Sequence, residues 1–162
     1  MDKMHTCCFS GHRPEKLNIS EAEVKNRLQT AVKEAIQDGF LFFITGMALG
    51  VDIWAAEIVL NEQSLNSNIE LICAVPFENF ENSRSQSEKK RYCDIINAST
   101  STMYICKHYF KGAFQFRNHY MVDNSARVIC AYNGEKGGTK NTLEYAKRSG
   151  IEIVNVLDYN FS

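Results

Sequence analysis

The chain has 162 residues, a length that favours one folded domain with a substantial core, and we expect residues 1–162 to form it. The formal net charge is -1 at pH 7, which argues against a general electrostatic attraction to nucleic acid or to an acidic membrane but leaves a local basic patch open. No apolar stretch is long enough to span a bilayer, and the first residues, MDKMHTCCFS, lack the pattern of a signal peptide. We therefore expect a cytoplasmic protein.

The six cysteines show no pattern typical of metal binding or of a disulfide framework. Cys7, Cys8, Cys73 and Cys130 lie in apolar runs, where cysteine usually acts as a small buried side chain. Adjacent Cys7 and Cys8 should point to opposite faces of one strand. No CxxC pair and no Cys/His spacing suits zinc, so we expect no metal site and six reduced cysteines. We also expect no cofactor.

A long amphipathic helix is the clearest element of the sequence. The segment NISEAEVKNRLQTAVKEAIQDG repeats apolar residues at helical spacing, with Ser20 and Glu23 as a capping box at its start and Gly39 at its end. A short strand from His5 to Phe9 is predicted before it. The apolar segment FLFFIT, residues 40–45, predicts a strand that is covered on both faces.

Helices and strands alternate through the rest of the chain. We predict, in order, a helix from Val51 to Asn61, a strand at 69–75, a helix within the segment from Glu81 to Ala98, a strand at 101–106, a helix from Phe114 to Asn124, a strand at 126–132, a helix from Thr139 to Ser149 and a strand at 151–157. The pattern does not fix where the helix between Glu81 and Ala98 starts. This alternation predicts an α/β fold, a Rossmann-like three-layer sandwich with a mainly parallel sheet.

Glycine and polar residues gather in the loops that follow the predicted strands. Ligands of open α/β sheets bind beyond the carboxyl ends of the strands, so these loops should share one functional edge. After the first strand, SGHRP offers Ser10, Gly11, His12 and Arg13, and after the third strand Pro76 opens PFENF. All five are candidate ligand-binding residues, although a turn-stabilising role is the more ordinary one for His12.

The segment TGMALGVDIW contains the first of two glycine loops. Gly46 and Gly50 let a ligand or a neighbouring chain approach the backbone, and the helix start that follows favours an anion. Asp52 is a candidate acceptor for ribose hydroxyls, or it only complements the helix dipole. Trp54 is a candidate wall for a base, with packing as the alternative. The glycine spacing matches neither GxGxxG nor GxxxxGK[ST].

The second glycine loop, EKGGTKNT, precedes another helix. Gly137 and Gly138 expose backbone N–H groups, and the first helical turn carries Thr139 and Asn141, a combination that suits a phosphate. A flexible surface loop is the alternative. Glu144, about one turn later, is a candidate catalytic residue only if the protein is an enzyme.

A third candidate segment is FRNHYMVDNS. Arg117 and Met121 are four residues apart and share a helix face. Arg117 is a candidate clamp on a phosphate or carboxylate, and a candidate catalytic residue if a reaction occurs. His119 is more ordinarily a solvated side chain.

Five segments, SGHRPEKL, TGMALGVDIWAAE, AVPF, RNHYMVDNS and GGTKNTLEYAKRSG, occur in this order and together resemble the YpsA-like family of the SLOG superfamily. The resemblance implies a Rossmann-like fold that binds nucleotides or nucleotide-derived ligands, in bacterial proteins linked to cell division and stress. It also places a set of residues in an order similar to that of relatives that cleave the N-glycosidic bond of nucleoside 5'-monophosphates: Arg117, Met121, Gly137, Gly138 and Glu144.

Three functions follow from the resemblance. The first is a regulatory module that binds a nucleoside monophosphate or an ADP-ribose relative. The second is a phosphoribohydrolase of nucleoside 5'-monophosphates that uses Arg117 and Glu144. The third is a protein-interaction scaffold, and a homodimer or a protein partner stays open. DNA-binding relatives carry a basic excess and added domains that this chain lacks, so we expect no nucleic-acid partner.

Overall fold

A parallel sheet forms the centre of the computed structural model, which describes residues 1–158; residues 159–162 of the predicted domain lie outside the described residues. Within residues 1–158 the strands are β1 (Thr6–Gly11), β2 (Phe42–Thr45), β3 (Glu70–Val75), β4 (Ser101–Tyr104), β5 (Arg127–Ala131) and β6 (Glu152–Asn155). They form one sheet in the order β4-β3-β2-β1-β5-β6, and every neighbouring pair is parallel.

Helices cover both faces of this sheet. They are α1 (Glu21–Gln37), α2 (Val51–Leu65), α3 (Gln86–Ala98), α4 (Ala113–Asp123) and α5 (Gly138–Arg148). Helix α2 packs against α1 and α3 on one face, and α4 packs against α5 on the other. The predicted Rossmann-like three-layer sandwich is therefore confirmed. Within the described part of the chain, no helix combines the length and the apolarity that a membrane crossing requires.

The strand cysteines behave as small core residues. Cys7 belongs to the core under α1, α2 and α3, whereas Cys8 belongs to the core under α4 and α5, so their predicted opposite orientation is confirmed. Cys73 and Cys130 are also buried. Burial raises the pKa of Cys73 to about 11, far above that of a reactive thiol.

The start of α1 follows the predicted pattern only in part. Ser20 Oγ accepts a hydrogen bond from the Glu23 N–H (3.1 Å). The Glu23 carboxylate accepts instead from Arg27 Nε (2.9 Å), so the predicted capping box is half formed.

The structure fixes the start of helix α3, which the sequence pattern left open between Glu81 and Ala98. A short 3-10 helix covers Phe80–Ser83, and Ser85 then forms a complete capping box with Glu88. The serine at the N-cap competes with continuation of the upstream turn and fixes the helix start at Gln86.

Two glycines let the loops after β1 and β2 pack against each other. A Cβ atom on Gly11 would lie 2.4 Å from Val51 Cγ2, and a Cβ on Gly50, whose φ is +91°, would lie 2.8 Å from Pro14 Cδ. The two loops therefore fit together only with glycine at both positions, and this contact places the start of α2 at the carboxyl edge of the sheet.

We expect Gly11→Ala to destabilise the fold by about 1–3 kcal/mol, because the new methyl group would overlap the stiff Val51 side chain. Gly138→Ala is the matched control, since a Cβ there would meet no heavy atom within 4 Å. Its free energy of unfolding should stay within about 0.5 kcal/mol of the wild type. Urea unfolding followed by circular dichroism measures both, and equal stability of Gly11→Ala and the wild type would contradict this packing.

Candidate ligand-binding site

The turn between β2 and α2 is fixed by side chains that bond its backbone. Thr45 Oγ1 accepts from the Met47 N–H (3.2 Å), and the Asp52 carboxylate accepts from the Ala48 N–H (3.2 Å). Thr45 Oγ1 also donates to the Asp52 carbonyl (2.9 Å), which ties the turn to the first turn of α2. Backbone groups that the turn would otherwise leave unpaired are satisfied within it.

Two guanidinium groups reach the same turn, one from each helical layer. Arg117, on α4, donates from Nη1 to the Gly46 carbonyl, and Arg84, just before α3, donates from Nη2 to the Met47 carbonyl. Met47 has a φ of 60°, which is uncommon for a residue with a side chain. The surrounding side chains therefore hold this turn in a strained conformation.

Gly46 is the point at which three of the predicted site residues meet. A Cβ atom on Gly46 would lie 2.7 Å from Arg117 Nη1 and 2.8 Å from Asp52 Oδ2. The guanidinium and the carboxylate thus approach the Gly46 backbone closely, and the missing side chain is what allows them to do so.

Three charged side chains surround this turn, namely Asp52, Arg117 and Arg84. Asp52 and Arg117 are only 7% and 5% exposed, and among the described residues no carboxylate oxygen lies within 4.0 Å of a nitrogen of Arg117 or Arg84. Burial raises the pKa of the Asp52 carboxyl, while the charge of Arg117 and the hydrogen bond from Ala48 oppose that rise. Burial likewise lowers the pKa of the Arg117 guanidinium, and Asp52 opposes that change. Asp52 interacts electrostatically with both guanidinium groups, and Glu88 and Glu81 also interact with that of Arg84.

A groove of about 240 Å³ lies between the first turns of α4 and α5. Its lining residues are Gly112, Phe114, Gln115, Asn118, His119, Gly138, Asn141 and Thr142. The N-caps of the two helices are Gly112 and Gly137, and within the described chain neither helix start receives a hydrogen bond from an N-cap side chain. Two positive helix ends therefore border one groove. At α4 the Ala113 N–H is already bonded to the Phe110 carbonyl (3.0 Å), so the N–H groups of Phe114 and Gln115 are the ones that a ligand could use there.

Asn118 connects this groove to the turn at Gly46. Arg117 Nε donates to Asn118 Oδ1 (2.7 Å), so the other polar group of that side chain, Nδ2, is left as a donor. The sequence pattern did not single out Asn118, although it lies directly after Arg117 in the segment FRNHYMV. Helix α4 thus reaches the first glycine loop through Arg117 and the second through Asn118.

The second glycine loop keeps its backbone accessible. A Cβ on Gly137 or Gly138 would meet no heavy atom within 4 Å, and Gly137 has a φ of +146°. Thr142 Oγ1 donates to the Gly138 carbonyl (2.8 Å), while Asn141 is exposed at the groove. The hydroxyl-bearing Thr139 is buried.

Some predicted site residues take packing positions. Trp54 is buried in the core under α1, α2 and α3, with Lys25 Nζ 5.7 Å from the centre of its ring. Met121 is buried in the opposite core, and Pro76 is buried where its carbonyl accepts from the Cys106 N–H (2.9 Å). These positions favour packing roles over direct contact with a ligand.

The loop after β1 places its candidates at the carboxyl end of that strand. His12 is buried against the Tyr132 ring, 5.3 Å between centroids, and its Nε2 has no hydrogen-bond partner among the described residues. Burial lowers the pKa of His12, so it is neutral at pH 7. Ser10 is half-buried, and Arg13 is exposed at the start of a 3-10 helix.

Glu144 lies on the second turn of α5, outside the groove lining. Its side chain is exposed, and its carboxylate is 3.9 Å from Lys140 Nζ. An exposed carboxylate beside a lysine is an ordinary surface pair on a helix.

Comparison with known proteins places the chain in a family. The YpsA family model, described as the YspA SLOG family, matches residues 7–156. The chain belongs to this family. It is 30% identical over 154 residues to a UPF0398 protein of Halalkalibacterium halodurans, covering 90% of this chain and 82% of that protein. It is 32% identical over 145 residues to the SPbeta prophage-derived protein YoqJ of Bacillus subtilis, covering 82% and 85% respectively.

The fold of this YspA SLOG family member is also similar to that of DNA processing protein A. The Streptococcus pneumoniae structure gives a TM-score of 0.63 at 17% identity over 93% of this chain, which spans about half (49%) of that protein. The Helicobacter pylori structure gives a TM-score of 0.65 at 22% identity, covering 99% of this chain and 69% of that one.

This likeness corrects one expectation. The Helicobacter pylori structure is reported with a single-stranded DNA binding mode, so the fold occurs in a DNA-binding protein. The expectation of no nucleic-acid partner, which came from the overall charge, is therefore wrong. Net charge averages over the whole chain, whereas binding depends on the groups at one surface.

We expect Asp52→Asn to be at least as stable as the wild type near pH 7. The pKa of Asp52 in the folded state is raised above its ordinary value of 3.8, so the ionised carboxylate opposes folding at neutral pH. This opposition is lost as the pH falls through the raised pKa. The asparagine oxygen still accepts from the Ala48 N–H. Urea unfolding at a series of pH values from 7 down to the ordinary aspartate pKa of 3.8 should show the advantage of the variant shrinking as the pH falls.

Asp94→Asn is the control, because Asp94 is an exposed acid paired with Lys90 (2.7 Å). Its removal should change the free energy of unfolding by less than about 1 kcal/mol. A loss of more than about 1 kcal/mol in Asp52→Asn near pH 7 would instead make Asp52 an essential counter-charge of Arg117.

Proposed function

We propose that this chain is a regulatory binding module for a phosphate-bearing nucleotide or nucleotide-derived ligand, such as a nucleoside monophosphate or an ADP-ribose relative. The observation that carries the proposal is the groove bordered by two helix starts that lack side-chain caps, at Gly112 and Gly137. Phosphate oxygens at neutral pH are hydrogen-bond acceptors. The groove offers donors, namely the N–H groups of Phe114 and Gln115 on α4, the first backbone N–H groups of α5, and Asn118 Nδ2.

Arg117 is buried behind the groove and bonds Asn118, one of the residues that line it. Its Nε donates to the Asn118 amide oxygen, so that the amide nitrogen has no acceptor among the described residues, and its Nη1 donates to the Gly46 carbonyl. In this proposal Arg117 is a positioning residue, because it acts through Asn118. Its charge and that of Arg84 add a positive potential at the same edge of the sheet.

The size of the groove sets which part of the ligand it accepts. About 240 Å³ is below the roughly 300–1,000 Å³ of pockets that enclose a whole small molecule. A phosphate and part of a sugar fit such a volume, and the rest of the ligand would lie outside, beside the exposed Phe114 ring at the rim.

The groove favours binding over hydrolysis of an N-glycosidic bond. Among the described residues that line it, His119 is the only titratable one, and its ring is stacked on Tyr145 at 3.8 Å between centroids. Hydrolysis through an oxocarbenium-like centre needs a carboxylate near the reacting carbon. Glu144, the carboxylate that the hydrolytic alternative would use, lies outside the groove lining and beside Lys140.

Asn118→Asp should weaken phosphate binding while keeping the fold. The new carboxylate still accepts from Arg117 Nε, but the Nδ2 donor is replaced by a negative charge at the groove. We expect the affinity for ribose 5-phosphate, nucleoside monophosphates and ADP-ribose to fall at least about tenfold, the size of one lost charge-assisted hydrogen bond. Isothermal titration calorimetry measures it.

Asn61→Asp makes the same chemical change at an exposed position on α2 and should leave the affinity unchanged. Equal affinities of Asn118→Asp and the wild type for every phosphate-bearing ligand would refute the site.

Gly138→Val should lower the affinity for the same ligands. The affinity of Gly138→Ala should lie between that of Gly138→Val and that of the wild type. A side chain at this position has free space in the fold, so stability is kept, but it covers the backbone N–H groups that a phosphate would approach. We expect the affinity of Gly138→Val to be lower by about tenfold or more, which corresponds to one lost hydrogen bond to a charged group. Equal binding by all three proteins would remove the glycine loop from the site.

Mixtures of the wild type with nucleoside monophosphates also distinguish binding from hydrolysis. After prolonged incubation with nucleoside monophosphates, chromatography should detect no free base. Base release that Glu144→Gln abolishes would replace the binding module with a phosphoribohydrolase.

A further inference from the structure

The segment between β4 and the middle of α4 interleaves aromatic and basic residues without any acid. No aspartate or glutamate occurs between Asp94 and Asp123. Residues 107–119, KHYFKGAFQFRNH, contain four aromatic residues, three lysines or arginines and two histidines. Surfaces that bind single-stranded nucleic acid combine cationic side chains for the backbone with aromatic rings on which bases stack.

The first aromatic group consists of Phe77, Phe80, Tyr109 and Phe114. Their ring centroids are 5.5–6.2 Å apart in edge-to-face and tilted contacts. Phe77 follows β3 and Tyr109 follows β4, so the group lies at the carboxyl edge of the sheet. Tyr109 is 64% exposed, and Phe114 also borders the groove between α4 and α5.

The second aromatic group is the pair Phe110 and Phe116, with centroids 6.5 Å apart and Phe116 60% exposed. Phe114 and Phe116 are two residues apart on α4, which places them about 200° apart around the helix axis. The two groups therefore lie on different sides of the first turn of α4. A mononucleotide has one base, whereas two separate stacking surfaces suit a strand that carries several.

The charges favour a polyanion over a protein partner. Lys107 and Lys111 are exposed on the loop that carries Tyr109 and Phe110. The nearby acids, Glu78 and Glu81, flank Phe77 and Phe80 on the loop after β3, so the backbone of a strand would follow the lysine side. Protein–protein interfaces are depleted in lysine, which argues against a protein as the occupant.

We propose that this surface binds single-stranded nucleic acid, with bases stacked on Tyr109, Phe110 and Phe116 and phosphates near Lys107 and Lys111. It adjoins the groove of the proposed function at Phe114 and extends that site from one phosphate to a strand. The residues that carry it lie outside the groove lining, so the two proposals can fail separately.

Fluorescence anisotropy of a labelled oligothymidylate of about 15 nucleotides tests the surface. The wild type should bind the single strand more tightly than a duplex of the same length, and more weakly as salt increases. Tyr109→Leu and Phe116→Leu keep an apolar side chain but remove the ring. Each should lower the affinity by about fivefold to a hundredfold without changing the salt dependence.

Lys111→Gln should weaken binding of all sequences and reduce the slope of log affinity against log salt by about 0.7. Leu65→Ala is the control, because Leu65 is an exposed apolar residue at the far end of α2, and it should change nothing. The substituted side chains are exposed, and circular dichroism should verify that each variant is folded.

Three results would overturn the proposal. The first is an absence of single-strand binding by the wild type at low salt, and the second is an unchanged affinity for the oligonucleotide in both aromatic variants. The third is a wild-type dimer that dissociates in these variants while their affinity for the oligonucleotide stays unchanged. The last result would assign the surface to a second copy of the chain. The wild type could fail to bind any mononucleotide while Tyr109→Leu and Phe116→Leu still lower the affinity for the oligonucleotide. That result would refute the proposed phosphate site in the groove and support the nucleic-acid surface.

Discussion

The hydrogen bond from the buried Arg117 guanidinium to the Gly46 carbonyl determines how the carboxyl edge of the sheet is built. Arg117 belongs to α4 in one helical layer, and Gly46 begins the turn that leads to α2 in the other layer. The contact exists only because Gly46 has no Cβ, which would lie 2.7 Å from Nη1. A cation buried without an ion pair within the described residues is costly unless its donors are satisfied, so backbone and amide oxygens must take the places they do.

Fixing Arg117 also fixes its neighbour. Asn118 accepts from Arg117 Nε and borders the groove between α4 and α5, where its amide adds a donor to the two helix starts. A structural residue and a candidate ligand-binding residue are thus adjacent on one helix. A single buried charge both ties the two layers together and orients a polar group toward solvent, which is a physical reason for retaining a buried arginine where an apolar residue would pack.

Particular residues show where local patterns stop being informative. The four-residue spacing of Arg117 and Met121 identified a shared helix face, but it did not tell that the face is buried. The apolar character of Trp54 fitted a ligand wall and a core equally, and burial places it in the core. The acid-free stretch after Asp94 was visible in the sequence, yet the net charge of -1 averaged it with acidic segments elsewhere.

The sequence by itself determined the alternation of strands and helices, the parallel sheet, and the gathering of glycine loops at one edge. Those features follow from hydrophobic periodicity and turn chemistry, which act over a few residues. Only the tertiary structure decided that Arg117 bonds a carbonyl 71 residues away and that α4 and α5 begin beside the same groove. Such contacts depend on how whole layers pack, and residues distant in the chain carry no local signal of which partner they will meet.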